Sequence, residues 1–240
     1  MSVRVTDKTA PVISGVSNVI VEAGRAFDVR RGLSAIDGTD GDLTANVAVS
    51  GAVDVKKPGV YVLTYTVKDR AGNEGKAVRR ITVKDTVKPV LTGVKAKTIL
   101  WNSRFDAKAG ITATDNINGN LTKIIKVSGT VNVKKVGSYN LTYSVTDKSG
   151  NTTTAVRKIV VKDHLKPVIS GAKSKTIKFK SNFKPLTGVT AKDNVDGTLT
   201  KSVKVTGKVN TQRKGVYPLT YTVKDKAGNS AIVKVKITVK

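Results

Sequence analysis

Slid along itself by 78 residues, the chain returns to register with no insertion or deletion, through three complete copies. Asp7-Lys8-Thr9-Ala10-Pro11-Val12-Ile13-Ser14-Gly15 comes back as Asp85-Thr86-Val87-Lys88-Pro89-Val90-Leu91-Thr92-Gly93 and again as Asp163-His164-Leu165-Lys166-Pro167-Val168-Ile169-Ser170-Gly171. Gly59-Val60-Tyr61-Val62-Leu63-Thr64-Tyr65 likewise returns at Gly137 and Gly215. Any fold must therefore be one that 78 residues can complete and that can be strung in tandem, with units at 7–84, 85–162 and 163–240. Val3-Arg4-Val5-Thr6 falls in register with Ile81-Thr82-Val83-Lys84, so residues 1–6 are expected to be the tail of a preceding unit's last strand. Lys240 falls one residue short of the next Asp, and the chain is expected to be a piece of a longer array.

Each unit reads as short strands bounded by Gly, Pro, Asn and Asp, with no sustained 3.6-residue period, which makes the fold class all-β. In the second unit the expected strands are 90–92, 97–100, 111–113, 124–128, 130–133, 138–146 and 152–161, a number that suits a two-sheet sandwich. Along the sixth, Tyr139, Leu141, Tyr143 and Val145 share one face and are expected in the core. Phe27, Phe105 and Phe183 recur in register and are expected there too. Trp101 and Phe179 have no aromatic counterpart in every copy, and burial is expected for both. Asp147-Lys148-Ser149-Gly150-Asn151, with its counterparts at Asp69 and Asp225, predicts a hairpin connection in which Asp accepts backbone N–H groups and Gly takes a positive φ. Each final strand runs directly into the next unit's Asp. At about 3.3 Å per strand residue, three units end to end would reach on the order of 100 Å.

Together, Asp-x-x-x-Pro, the Ala-x-Asp loop ending in Leu-Thr, Gly-x-Tyr-x-Leu-Thr-Tyr and Asp-x-Ala-Gly-Asn resemble the bacterial Ig-like repeats found in tandem in Gram-positive surface and secreted proteins. The resemblance spans all three units. It implies three tandem Ig-like β-sandwich domains and an extracellular setting, with spacer, adhesive and wall-contacting roles all represented among such repeats. Gly59-Val60-Tyr61-Val62-Leu63 also resembles the tyrosine corner of immunoglobulin domains, with Leu63 standing where a disulfide Cys would be. With no Cys in the chain, neither disulfides nor zinc–thiolate sites are available. The final strand 234–239 carries no Asn, so a Lys–Asn crosslink is not expected.

The net charge of +26 is unevenly spread, at +3, +9 and +13 over the three units. All but one of the third unit's 17 cations are Lys, a point charge suited to diffuse attraction toward phosphate-bearing polymers. Lys173, Lys175, Lys178, Lys180, Lys201, Lys204, Lys208, Lys234 and Lys236 are the candidates for contact with an anionic wall polymer. Solvated strand faces are the other reading, since Lys on strands also discourages edge-to-edge association. Specific nucleic-acid binding is not expected, because all six Tyr fall on the core face of one repeated strand and so cannot serve as stacking platforms.

Nine of the 17 acidic residues occupy three repeated positions: Asp7, Asp85 and Asp163; Asp37, Asp115 and Asp193; Asp69, Asp147 and Asp225. Oxygen ligands gathered by the fold would suit calcium. Each Asp can equally organise its own turn, and this is the simpler reading, because the loops after Asp37, Asp115 and Asp193 differ in carboxylate content and none fits the twelve-residue EF-hand pattern. No Gly-x-Ser-x-Gly, phosphate-binding Gly-Lys-Ser/Thr or His-Glu helix motif occurs, and the single His164 stands where other copies have Lys8 and Thr86. No apolar run approaches the roughly 18 residues of a membrane span. The expectation is a noncatalytic extracellular stalk without cofactor, with retention on wall polymer and self-assembly into an array or fibre as alternatives.

Overall fold

A computed structural model describes residues 6–240, so the strand expected from Val3 lies outside the described residues. The first repeat contains β1 (Val12–Ser14), β2 (Val19–Glu22), β3 (Ser34–Asp37), β4 (Gly41–Asp42), β5 (Ala48–Ser50), β6 (Gly59–Lys68) and β7 (Glu74–Lys84). The second repeats the order as β8 (Val90–Thr92), β9 (Lys97–Leu100), β10 (Thr112–Asp115), β11 (Gly119–Asn120), β12 (Lys126–Ser128), β13 (Gly137–Thr146) and β14 (Thr152–Lys162). The third contains β15 (Val168–Ser170), β16 (Lys175–Ile177), β17 (Thr190–Asp193), β18 (Gly197–Thr198), β19 (Lys204–Thr206), β20 (Gly215–Lys224) and β21 (Ser230–Val239). In each, a small antiparallel sheet (β1-β3-β4 and its copies) accompanies a four-stranded one (β5-β6-β7-β2 and its copies). The last-named strand joins the long hairpin in parallel, Val19 opposite Ile81 and Glu22 opposite Lys84. By internal contacts the chain divides into two units, residues 1–94, 110–127 and 143–155, and residues 95–109, 128–142 and 156–240; the middle repeat contributes to both.

Strict alternation builds the interior. Leu63, Tyr65 and Val67 on β6 share the inner face of the four-stranded sheet with Ile81 and Val83 on β7, and Ala35 from the small sheet joins the same buried cluster. Leu219, Tyr221, Val223, Val235, Ile237 and Ala191 do the same in the third repeat, and Leu141, Tyr143 and Val145 are buried as their pattern requires. The tyrosine corner is present three times: the Tyr61, Tyr139 and Tyr217 hydroxyls donate to the carbonyls of Lys57, Lys135 and Arg213, each at 2.7–2.8 Å. Tyr65 and Tyr221 donate to Val29 and Pro185 carbonyls, both at 2.7 Å. Phe27 and Phe183 pack half-buried against their cores.

Three expectations are corrected. Residues 130–133 form no strand, because Gly129 turns the chain at φ 93° and the Asn132 side chain then accepts the Lys134 N–H. The segment opening at Ile124 begins instead as a 3-10 turn, Thr122–Ile124, whose Thr122 hydroxyl accepts the Ala113 N–H. Phe179 is 40% exposed rather than buried.

Candidate metal centres and the basic face

The first Asp of each repeat precedes the short strand that pairs with the strand ending in the second Asp, as Val12 pairs with Ile36 beside Asp37. The third Asp follows the long strand, at the hairpin connection. The topology thereby gathers what the sequence separates by about thirty residues at a step. One carboxylate oxygen from each of Asp7, Asp37 and Asp69 lies within 4.8 Å of the others, and the same holds for Asp85, Asp115 and Asp147 and for Asp163, Asp193 and Asp225.

Their hydrogen bonds divide by oxygen. Asp37 Oδ1 accepts the N–H groups of Thr39 (2.8 Å) and Asp40 (2.9 Å), Asp115 Oδ1 those of Ile117 and Asn118, and Asp193 Oδ1 those of Val195 and Asp196. The third Asp is held by the following Asn: Asp69 Oδ1 by the Asn73 N–H and Oδ2 by its side-chain amide, repeated at Asn151 and Asn229. These are the turn roles expected of the Asp-x-x-Gly-Asn connection, whose Gly72, Gly150 and Gly228 all have positive φ. The Oδ2 atoms of Asp37, Asp115 and Asp193, in residues only 4%, 8% and 8% exposed, are buried without a partner, as are those of Asp7 and Asp163. In the second repeat the Ser149 hydroxyl reaches Asp85 Oδ2 at 3.1 Å. The Thr9 hydroxyl and its backbone N–H hold the Asp7 carboxyl below the usual range. None of the ion pairs among the described residues, Lys68–Glu74, Arg70–Asp40 and Lys226–Asp196, reaches a trio member.

All nine candidate lysines are exposed, but they do not share one surface. Lys204, Lys234 and Lys236 project from the outer face of the four-stranded sheet, where Thr220 is paired with Lys234 and Thr222 with Lys204. Lys175 faces the other way, with Nζ 5.2 Å from the Phe183 ring centroid. Lys173, Lys178, Lys180 and Lys208 lie in the segments flanking β16 and β19, and Lys201 is on the 3-10 turn Thr200–Ser202. All four carboxylates of the third unit are spoken for, three in the trio and Asp196 by Lys226, so the sheet lysines face solvent uncompensated.

Two features had no signal in the sequence. Buried Arg79 donates through Nε to the Ser17 carbonyl at 2.7 Å and covers the Phe27 ring. Glu22 accepts the Thr86 N–H (2.8 Å) and hydroxyl (2.7 Å), and these bonds hold its carboxyl below the usual range, with Arg25 adding a smaller Coulombic contribution. Their partners are more than sixty residues away in the chain, beyond what periodicity reveals.

Two sheets and a tyrosine corner, three times over, define a tandem immunoglobulin-like protein. The chain belongs to the family described as "Bacterial surface protein, Ig-like domain", which matches residues 11–83, 89–161 and 167–239. It is 33% identical over 241 residues to the pesticidal crystal protein Cry22Aa of Bacillus thuringiensis, covering 95% of this chain and 32% of that protein. It is also 31% identical over 221 residues to an uncharacterised 81.3 kDa protein of Acholeplasma phage L2, covering 85% of this chain and 30% of the relative. The chain thus spans about a third of the length of these relatives. Similar solved structures include the M60 catalytic domain with CBM51-1 and CBM51-2 domains of Clostridium perfringens ZmpB (17% identity, TM-score 0.29, 95% of this chain and 30% of that one). The protocadherin GammaB4 extracellular domain is another (14% identity, TM-score 0.36, 97% and 49%). At such TM-scores neither likeness carries functional weight. Among the described residues no helix is long and apolar enough to cross a membrane.

Proposed function

We propose that the chain is a noncatalytic, extracellular spacer within a bacterial surface or secreted protein, holding other modules at a distance. The observation that carries this reading is the shortness of the connections between repeats. Only residues 85–89 separate β7 from β8, and only residues 163–167 separate β14 from β15. Membership of a bacterial surface family supports the setting. A spacer must extend as repeats are added. Small-angle scattering of the full chain should give a radius of gyration well above the ~18 Å of one compact domain of this length; a value near ~18 Å would sink the proposal.

A second reading is favoured by the uncompensated Lys204, Lys234 and Lys236 face: the third repeat retains the protein on an anionic wall polymer through diffuse, salt-sensitive attraction. The two roles are compatible. Lys rather than Arg suits a polymer whose phosphates have no fixed geometry.

A further inference from the structure

We propose that each repeat carries one calcium site, built from the Asp trio at the end of its small sheet. This inference is independent of the spacer reading. Three carboxylates stand within 4.8 Å of one another, and no cation among the described residues is paired to any of them. Like charges at that spacing repel, and burial strengthens the repulsion. A divalent cation between them would add three carboxylate–cation attractions that outweigh the repulsion.

The turn role accounts for Oδ1 of each central Asp and leaves Oδ2 unexplained. Burying an oxygen without a partner is costly, yet Asp37, Asp115 and Asp193 each do so. Comparison among the repeats separates the two roles. Where a side chain merely organises a turn, this chain interchanges acid and amide freely. Asp54 accepts the Lys56 N–H, while Asn132 and Asn210 do the same for Lys134 and Gln212. Asp40 and Asp196 accept the N–H of Arg70 and Lys226, while Asn118 accepts that of Lys148. At the trio positions Asp stands in all nine places. The turn at Asp37, Asp115 and Asp193 needs only the one Oδ1 acceptor, which Asn would supply; what Asn lacks is the charge.

The donors are oxygens alone, which selects a hard cation. Two oxygens bound to one calcium at about 2.3–2.6 Å stand at most about 5 Å apart, so three carboxylate oxygens within 4.8 Å of one another can share one ion. Calcium's flexible shell accepts such a set with water completing it, whereas magnesium demands a near-ideal octahedron.

The test uses the full chain stripped with chelator and titrated with calcium chloride in a calorimeter. Three sites per chain are expected, with a melting temperature about 5–10 °C higher when calcium stands about tenfold above its Kd. Asp115→Asn keeps the Oδ1 acceptor and should leave two sites. The triple variant Asp37→Asn, Asp115→Asn, Asp193→Asn should bind none and melt alike in calcium and in chelator. Fewer than three sites in the unmodified chain would overturn the proposal, as would an equal response to magnesium or a calcium response that survives in the triple variant. Should that variant fail to fold, the unmodified chain decides alone: identical melting in millimolar calcium and in chelator refutes the sites.

Discussion

Where Gly24 and Asn102 take φ 82° and 57°, the third repeat places Lys180 at φ 60°. Each donates its N–H across the turn, to Val55, Val133 and Thr211 respectively. Gly and Asn tolerate this left-handed conformation; a residue with a long side chain is strained by about 1–2 kcal/mol. Lys180→Gly should therefore stabilise the chain, by only about 0.5 kcal/mol after the entropy glycine loses on folding and the exposed Lys180–Phe179 contact are subtracted. A higher urea midpoint at unchanged m would show it, and a lower midpoint would contradict it. Register also exposes an exchange of parts. Buried Arg79 and Arg157 donate to the Ser17 and Lys95 carbonyls, but Val235 holds that position in the third repeat. There Lys175, from the neighbouring strand, supplies the cation over Phe183 that Arg79 supplies over Phe27. The recurrence of each Asp was legible in the sequence. That three of them converge, and that one oxygen is left over, was not, because a turn motif fixes one acceptor and says nothing of its neighbours in space.

At the scale of strands, alternation identified the long hairpin β13–β14 of the second repeat almost to the residue, since one buried and one solvated face leave little freedom of register. The short elements were harder to read. The two-residue β11 (Gly119–Asn120) is too brief for any period, and Ile124 lies in a 3-10 turn despite its β-branched side chain. Position in the sheet matters more than composition there. At Gly15, Gly93 and Gly171 the first strand ends at positive φ, and a Cβ would overlap the carbonyl oxygen of Gly32, Gly110 or Gly188. The end of β2 offers a pH test. Glu22 is stabilised as a carboxylate by the Thr86 N–H and hydroxyl, so its folded value lies below its unfolded one. Its contribution is complete above the unfolded value of about 4.3 and is lost as pH falls through the folded one. Glu22→Gln should therefore lower the melting temperature slightly at neutral pH and flatten its fall below about pH 4.5, the two proteins converging in acid. Parallel acid profiles for the two proteins would refute this.

Charge is the property that only the whole molecule displays. The repeats share a fold but carry +3, +9 and +13, so stability cannot account for the gradient; self-repulsion among like charges works against the compact state. The composition was plain in the sequence, but the grouping was not, because alternation could not say which strands are neighbours. The sheet order β16-β21-β20-β19 brings Lys204 and Lys234 to one outer face, with Lys236 a step further along β21, while Lys175 is turned inward over Phe183. If that face retains the chain on an anionic polymer, replacing Lys204, Lys234 and Lys236 by Gln should weaken retention of the full chain on purified wall and reduce the slope of log K against log salt by up to about 2–3. A control with the same charge removed from the second repeat, at Lys88, Lys97 and Lys126, separates a dedicated face from net charge. Under a dedicated face the control loses less. Equal loss in both variants would make retention a property of the total charge and would leave the third repeat without a special role.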